Sequence, residues 1–395
     1  MNHNSKKLLA IFPQLPLPEF AGDRQKVNNL IKILNKHFEL HVVIITRQKP
    51  TVNDIQFLKL HSISYNILHL SKIKIIKNLI RGFFTKQPLQ VSFFYNSSFQ
   101  SLINQKAKSV DAVFCNLIRV AKYAENLDLP KYIDIVDSLS INYKRSAEKV
   151  TSWFWKLLYT LEYQRLGLYE EKIIHNFNAS FLVNHIEYLY WVNKLKVSTL
   201  FWLPQGIKQE LFTYTQFDNS YQNSVMFIGK MDYQPNIDAV IWFLTNVWPL
   251  VNSEINFYIV GINPPKRIQN LQKSFSNVHI TGYIEDPYII MNSCAAVVSP
   301  MLTGGGIQNK VLEAMAMGKV NITTVRGSES IKYAEKNVHL LVEDEPREMA
   351  KLIEKVVFSS NDYHELEQNA KNLAKKVYTW ENFESEIITQ TNTHT

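Results

Sequence analysis

Cysteine is nearly absent: Cys115 and Cys294 are the two in 395 residues, far apart and outside any metal-ligand spacing. That excludes a disulfide scaffold and a thiolate metal centre, and fits buried free thiols in a reducing compartment. No run of 18 apolar residues occurs, so no transmembrane helix is expected. The apolar stretch Leu8–Phe12 before Pro13 is too short for a signal-peptide core and reads as a first β-strand. No G-x-G-x-x-G follows it, which removes the dinucleotide fingerprint. No D-x-D pair suited to a metal–diphosphate bridge stands at a strand end. Glu343-Asp344-Glu345 is acidic, but it precedes Pro346 and reads as a solvated helix start. No recognised nucleic-acid motif is present. Glycine is scarce at 12 residues, yet Gly304, Gly305 and Gly306 stand together, the one place where glycines are adjacent.

What is present is enough for two ordinary domains, with 46% apolar residues to build their cores. Charge is uneven. Residues 1–200 carry 27 Lys and Arg against 14 Asp and Glu, a net +13, whereas residues 201–395 carry 16 against 21. The first half is therefore expected to face something anionic, with nucleic acid and an anionic membrane as the candidates.

The first half opens with strand Leu8–Phe12, a loop over 13–23, a helix over Val27–Leu34 and strand Leu40–Thr46. This βαβ start predicts a parallel sheet with ligands at the carboxyl ends of its strands. Polar residues at those ends are the candidates for chemistry. Gly22 sits where the first β–α loop meets its helix. Asn116 ends a strand over Asp111–Cys115. Asp137 follows Tyr132–Val136 and could orient or deprotonate an acceptor hydroxyl, or simply cap the next helix. His185 follows Ser180–Val183, a position that serves structure as readily as catalysis. Two segments suit a membrane surface. In residues 70–86, Ile73, Ile76, Ile80 and Phe83 share one helical face while Lys74, Lys77 and Arg81 fall elsewhere. A core-packed helix with a solvated basic face has the same pattern. Trp153-Phe154-Trp155-Lys156-Leu157-Leu158-Tyr159 would suit an interface if exposed and a core if buried. After strand Leu200–Leu203, sequence of low periodicity over about 203–223 reads as the connection between domains.

In the second half βα alternation is regular. Strands are expected near Val225–Ile228, Ile255–Val260, Val278–Thr281, Ala295–Ser299, Val320–Val325 and His339–Val342, a second doubly wound domain. Gly229 and Lys230 end its first strand, where a lysine can reach a phosphate. After Ala295–Ser299 the glycine loop feeds a helix expected from Ile307 to Gly318, a C-cap residue. A glycine loop at a helix N-terminus makes an anion site: free N–H groups and the positive end of the dipole face the ligand. Lys310 and Glu313 are three apart and share a helix face. A lysine in the first turn opposes the dipole, and a bound anion would remove the conflict. A solvated i,i+3 ion pair is the plainer alternative. Arg326-Gly327-Ser328-Glu329-Ser330 follows the next strand and should border the same crevice.

Taken together, the segment Phe227–Ala239, the run Gly304–Gly318 and Gly327-Ser328-Glu329 resemble the GT-B glycosyltransferases of family 4, the glycosyl transferases group 1, in the bacterial exopolysaccharide-associated branch. The resemblance spans most of the chain, with weaker echoes at Gly22-Asp23, Leu203-Pro204-Gln205-Gly206 and Trp380-Glu381. It implies an α/β fold of two doubly wound Rossmann-like domains facing across a cleft. Residues 1–203 would bind acceptor and 204–378 the nucleotide sugar, with 379–395 returning onto the first domain. It also implies roles. Glu313 matches the second glutamate of E-x7-E, which holds ribose hydroxyls, and Lys230 matches the basic residue at the donor diphosphate. Lys310, Ile307 and the amides of Gly304, Gly305 and Gly306 would complete that site, with Gly229 and Gly206 beside it. The first glutamate of the motif falls at Gly305, and the family's second basic position falls near Asn236.

The expected activity is a hexosyltransferase using a nucleotide-diphosphate sugar as donor, retaining and metal-independent, with no cofactor. The acceptor is a glycan or lipid-linked intermediate in surface polysaccharide biosynthesis, and the protein is cytoplasmic, peripheral on the inner membrane face. Two other readings share these features: a hydrolysing nucleotide-sugar epimerase of the same fold, and a non-catalytic membrane- or polyanion-binding module. The second of these would bind polyanions in a salt-sensitive way and leave nucleotide sugars alone.

Overall fold

The computed structural model describes residues 6–18, 22–150 and 152–393. The chain divides into two compact units, Met1–Pro204 with Phe383–Thr395, and Gln205–Asn382. Each is a parallel sheet with helices between its strands.

The first unit has seven strands: β1 Lys7–Phe12, β2 Glu39–Thr46, β3 Ser64–His69, β4 Ala112–Asn116, β5 Lys131–Val136, β6 Ala179–Leu182 and β7 Leu200–Trp202. They lie in the order β3-β2-β1-β4-β5-β6-β7, all neighbours parallel. The central strands are near-continuous apolar runs because both sheet faces are covered: Leu8–Phe12 and all of β4 are buried. Strand β3 is absent from the sequence reading. Its residues Ser64–Leu68 are half-buried and His69 is exposed, as suits an edge strand paired on one side. The order reverses between β1 and β4, so their carboxyl ends border a topological switch point.

The helix Trp380–Thr393 ends in this unit. Phe383 is buried with the Lys26 ammonium 5.5 Å from its ring centre, the Tyr132 hydroxyl donates to the Thr391 carbonyl at 2.8 Å, and Lys36 pairs with Glu384 at 2.8 Å.

The second unit has six parallel strands: β8 Ser224–Ile228, β9 Asn256–Val260, β10 Val278–Gly282, β11 Ala296–Ser299, β12 Val320–Thr323 and β13 Leu341–Val342, in the order β10-β9-β8-β11-β12-β13. Its core joins Val225, Phe227, Phe243, Trp248, Phe257 and Val298 beneath the flanking helices. The order reverses between β8 and β11. Strand β12 stops at Thr323 rather than at Val325. Thr324 caps a short helix, Val325–Ser328, through its hydroxyl to the Gly327 amide. Among the described residues no helix is long and apolar enough to cross a membrane.

Candidate functional site

In the second unit, the candidates Gly229 and Lys230 lie just past β8, and the glycine loop lies just past β11, its neighbour at the switch point. Gly304 has φ 112°, a region that favours glycine, so this residue turns the chain. The helix behind the loop is Asn309–Met317, with Gln308 in extended conformation at its N-cap and Gly318 left-handed at its C-cap. The expected start at Ile307 is therefore two residues early. Ile307 and Gln308 belong to the loop, and Lys310 is the second helical residue.

Lys310 and Glu313 are only partly exposed. The Lys310 ammonium donates to Asn236 Oδ1 at 3.0 Å and lies 4.9 Å from the centre of the Phe227 ring. Burial pushes it down to about 8, against the opposing pull of Glu313. Burial pushes Glu313 up to about 7, with Lys208, the Tyr288 hydroxyl and Lys310 favouring its ionised form. Each group is thus held near the pH at which it changes charge, a common mark of functional sites. Tyr288 is itself fixed. The Asp286 carboxylate accepts from the Tyr288 amide at 3.0 Å and from the Tyr214 hydroxyl at 2.6 Å, and Lys208 lies 5.4 Å from the Tyr288 ring centre.

Lys230 is exposed. Its backbone is pinned instead: Asn236 Nδ2 donates to the Lys230 carbonyl at 2.9 Å. Asn236 therefore ties the β8 loop to Lys310. It approaches so closely that a Cβ on Gly229 would lie 2.6 Å from its amide nitrogen. Arg326 donates to the Gly304 carbonyl and pairs with Glu329. A guanidinium thus reaches the glycine loop from the segment after β12.

Gly206 has a packing role. A Cβ there would stand 2.6 Å from the Trp380 ring and backbone nitrogen, while Ile207 donates to the Tyr378 carbonyl at 2.9 Å.

Sequence reasoning did not select Asn236, Arg326, Tyr288 or Lys208 as site residues. Asn236 and Arg326 carried a signal: Asn236 lies within Phe227–Ala239, and Arg326 opens the segment expected to border the crevice. Tyr288 and Lys208 carried none.

In the first unit, Gly22 opens the helix Gly22–His37 after β1, Asn116 ends β4, Asp137 follows β5 and His185 starts the helix His185–Leu195 after β6. Asn116, Asp137 and His185 therefore fall at the carboxyl ends of three adjacent strands, β4, β5 and β6, whereas Gly22 starts the helix that follows β1. Asn116 is buried. His185 is half-buried behind the N-cap Asn184.

Asp137 is half-buried and is not the cap of the following helix, Leu139–Lys149, whose N-cap is Ser138. Two buried glutamates do that work: Glu187 accepts from the Ser138 amide at 2.6 Å, and Glu170 from the Ser140 amide at 3.1 Å and the Ser138 and Ser140 hydroxyls at 2.7 and 2.6 Å. Burial holds the Asp137 carboxyl above the usual range, with Lys26 and Arg145 pulling it down and Asp134 pushing it up. The buried pair Lys26–Asp134, at 2.9 Å, is its neighbour.

Known proteins bear on this site. Residues 222–358, which include β8, the glycine loop, Lys310, Glu313 and Arg326, match the family model described as glycosyl transferases group 1. An uncharacterised 44.6 kDa protein in the cps region of Klebsiella pneumoniae is 23% identical over 340 residues, 82% of this chain and 84% of its own. An uncharacterised glycosyltransferase of Methanocaldococcus jannaschii is 22% identical over 160 residues, 39% of this chain and 41% of its own. Among solved structures, Anabaena HepE with UDP-glucose has a TM-score of 0.67 at 11% identity, over 98% of this chain and 99% of that one. TarM has a TM-score of 0.67 at 14% identity, over 99% of each chain. At such identities the structural likeness speaks for the fold alone.

Proposed function

We propose that this chain, whose residues 222–358 match the glycosyl transferases group 1 and whose fold is GT-B, is a family 4 enzyme moving a sugar from a nucleotide-diphosphate donor to a glycan or lipid-linked acceptor. The observation that carries the reading is the Gly304 loop at the β8–β11 switch point, with Lys310 and Glu313 partly covered one turn apart behind it. The diphosphate would meet the loop amides, the helix N-terminus, Lys230 and Lys310. Glu313, held by Tyr288, would accept from the ribose hydroxyls. HepE structures hold UDP and UDP-glucose, which favours a nucleotide sugar here.

Departure of the nucleoside diphosphate is the step these groups would assist. The sugar–phosphate oxygen bond breaks, negative charge gathers on the leaving phosphate, and Lys230, Lys310 and the preorganised amides stabilise it. Fixed cations would do what a metal does elsewhere, so we propose a metal-independent reaction. Retention of anomeric configuration would follow from front-side attack, with the leaving phosphate accepting the acceptor's proton. Asp137, with Asn116 and His185 at neighbouring strand ends of the first unit and Gly22 at the start of the helix after β1, would orient the acceptor hydroxyl. The Klebsiella relative in a cps region favours a setting in surface polysaccharide synthesis, which we place on the cytoplasmic side as part of the proposal.

The test is direct. Nucleotide sugars are screened by thermal shift, and the stabilising one is assayed for transfer and for acceptor-free conversion. Lys230→Ala and Glu313→Ala should each weaken donor binding or turnover at least about tenfold, the loss of roughly one charged hydrogen bond. Wild-type behaviour in both removes the site. A changed sugar nucleotide formed without acceptor would make the protein an epimerase instead.

A further inference from the structure

The helix Lys72–Phe83 has two apolar faces, about 110° apart around its axis. At 100° per residue, Ile75, Leu79 and Gly82 point one way. Ile75 and Gly82 are buried, and Leu79 packs against the core of the first unit. Ile73, Ile76, Ile80 and Phe83 share the second arc and are 52–69% exposed, and Phe84 beyond them is 82% exposed. Lys74, Lys77 and Arg81 run along one flank of that outer face. The inner face satisfies the fold. The outer face is a second apolar stripe that folding of this unit leaves in water.

A second exposed stripe meets it. The helix Trp153–Asn176 begins with Trp153, Phe154, Trp155 and Leu157, all 47–76% exposed, and Leu161 continues the side of Phe154 and Leu157. The same side carries Arg165 one turn later. The Arg165 guanidinium donates to the Gly82 and Phe83 carbonyls at 3.4 and 3.1 Å, the last turn of the 72–83 helix. Glu162 accepts from the Leu89 amide at 2.8 Å just beyond. Two segments about seventy residues apart are thereby clamped into one surface.

We propose that this composite face docks on an anionic lipid bilayer, with the 72–83 helix lying in the headgroup plane. Bulky aliphatic and aromatic side chains on one arc suit insertion at the acyl boundary. Lys74, Lys77 and Arg81 beside them, in a half of the chain with net charge +13, complement an anionic leaflet. This docking needs nothing from the donor site. Its use, delivering the enzyme to a lipid-linked acceptor, rests on the function proposed above.

The experiment is co-sedimentation of the full chain with vesicles of phosphatidylcholine alone or with one quarter phosphatidylglycerol, read beside UDP binding and sedimentation velocity without lipid. Wild type should bind the anionic vesicles, and more weakly as salt rises. Lys74→Gln with Lys77→Gln and Arg81→Gln should weaken that binding on the order of a hundredfold, at about 1 kcal/mol for each basic residue near the surface. Ile76→Glu with Ile80→Glu and Phe84→Glu should abolish it. Both variants should keep the wild-type Tm and UDP affinity, since every changed side chain is outside the first unit's core and outside the donor unit. Unchanged vesicle binding in either variant overturns the proposal, as does a wild type that ignores anionic vesicles. A wild-type dimer that the glutamate variant dissociates would make the face a contact between copies and also overturn it. Failure of UDP binding in wild type would bear on the donor nucleotide alone and leave this result standing.

Discussion

Lys310→Met removes a charge while keeping most of the side chain's length. The ammonium is 3.0 Å from Asn236 Oδ1 at the start of a helix whose dipole opposes it, and burial pushes its pKa down to about 8. A diphosphate in front of that helix would favour the charged form and push the pKa back up. The sign follows from linkage. Below about pH 8 Lys310 is already protonated, and affinity for a nucleoside diphosphate such as UDP does not change with its titration. As pH rises through 8, free protein loses the proton that the complex keeps, and affinity falls by up to about tenfold per pH unit. At pH 7.5 the substitution removes a hydrogen bond to a charged group, about 1.5–3 kcal/mol, so Kd should rise roughly ten- to a hundredfold. The variant should also lose the alkaline slope. Its stability should be equal or higher, because a partly desolvated charge is gone. Calorimetric titration with UDP from pH 7 to 9.5, in two buffers of different ionisation enthalpy, reads both affinity and proton uptake. Wild-type affinity that stays constant to pH 9.5, or a variant that binds as tightly as wild type, refutes the reasoning.

Two further perturbations separate the loop from the scaffold. Gly304→Ala forces a Cβ into φ 112°; Gln308 and Pro235 leave room at 3.5 and 3.7 Å, so the cost is backbone strain of roughly 1–3 kcal/mol. Tm should fall by a few degrees and UDP affinity with it, measured by thermal unfolding and titration. Glu170→Ala takes the carboxylate acceptor from the Ser140 amide and from the Ser138 and Ser140 hydroxyls inside the first unit, leaving the two hydroxyls only each other, 3.1 Å apart, to donate to. Urea unfolding should show a loss of about 3 kcal/mol or more, and Glu170→Gln, which keeps an acceptor, should lose less.

The strands of both sheets were largely legible from short apolar runs, because a parallel strand covered on both faces needs apolar side chains along its whole length. Strand β3 was not, since an edge strand carries a mixed, half-buried pattern. The same limit hid Glu170 and Glu187: a glutamate in a helical pattern reads as solvated, and only packing turns these two inward onto the 139–149 helix.

By itself the sequence determined the alternation of strand and helix, the glycine loop, and the spacing of Lys310 and Glu313, all fixed by local periodicity and by where glycine is needed. It left the basic helix undecided between core and surface. Helical periodicity shows that Ile73, Ile76, Ile80 and Phe83 share a side, but not whether anything covers that side. Tertiary structure decided that Ile75 and Leu79 fill the core instead, and that Arg165 joins this helix to the tryptophan-bearing one. It also decided that Asn236, Arg326 and Tyr288 hold the glycine loop, Lys310 and Glu313 in place. These contacts join residues 22 to 83 positions apart, a separation at which no repeat or spacing leaves a trace.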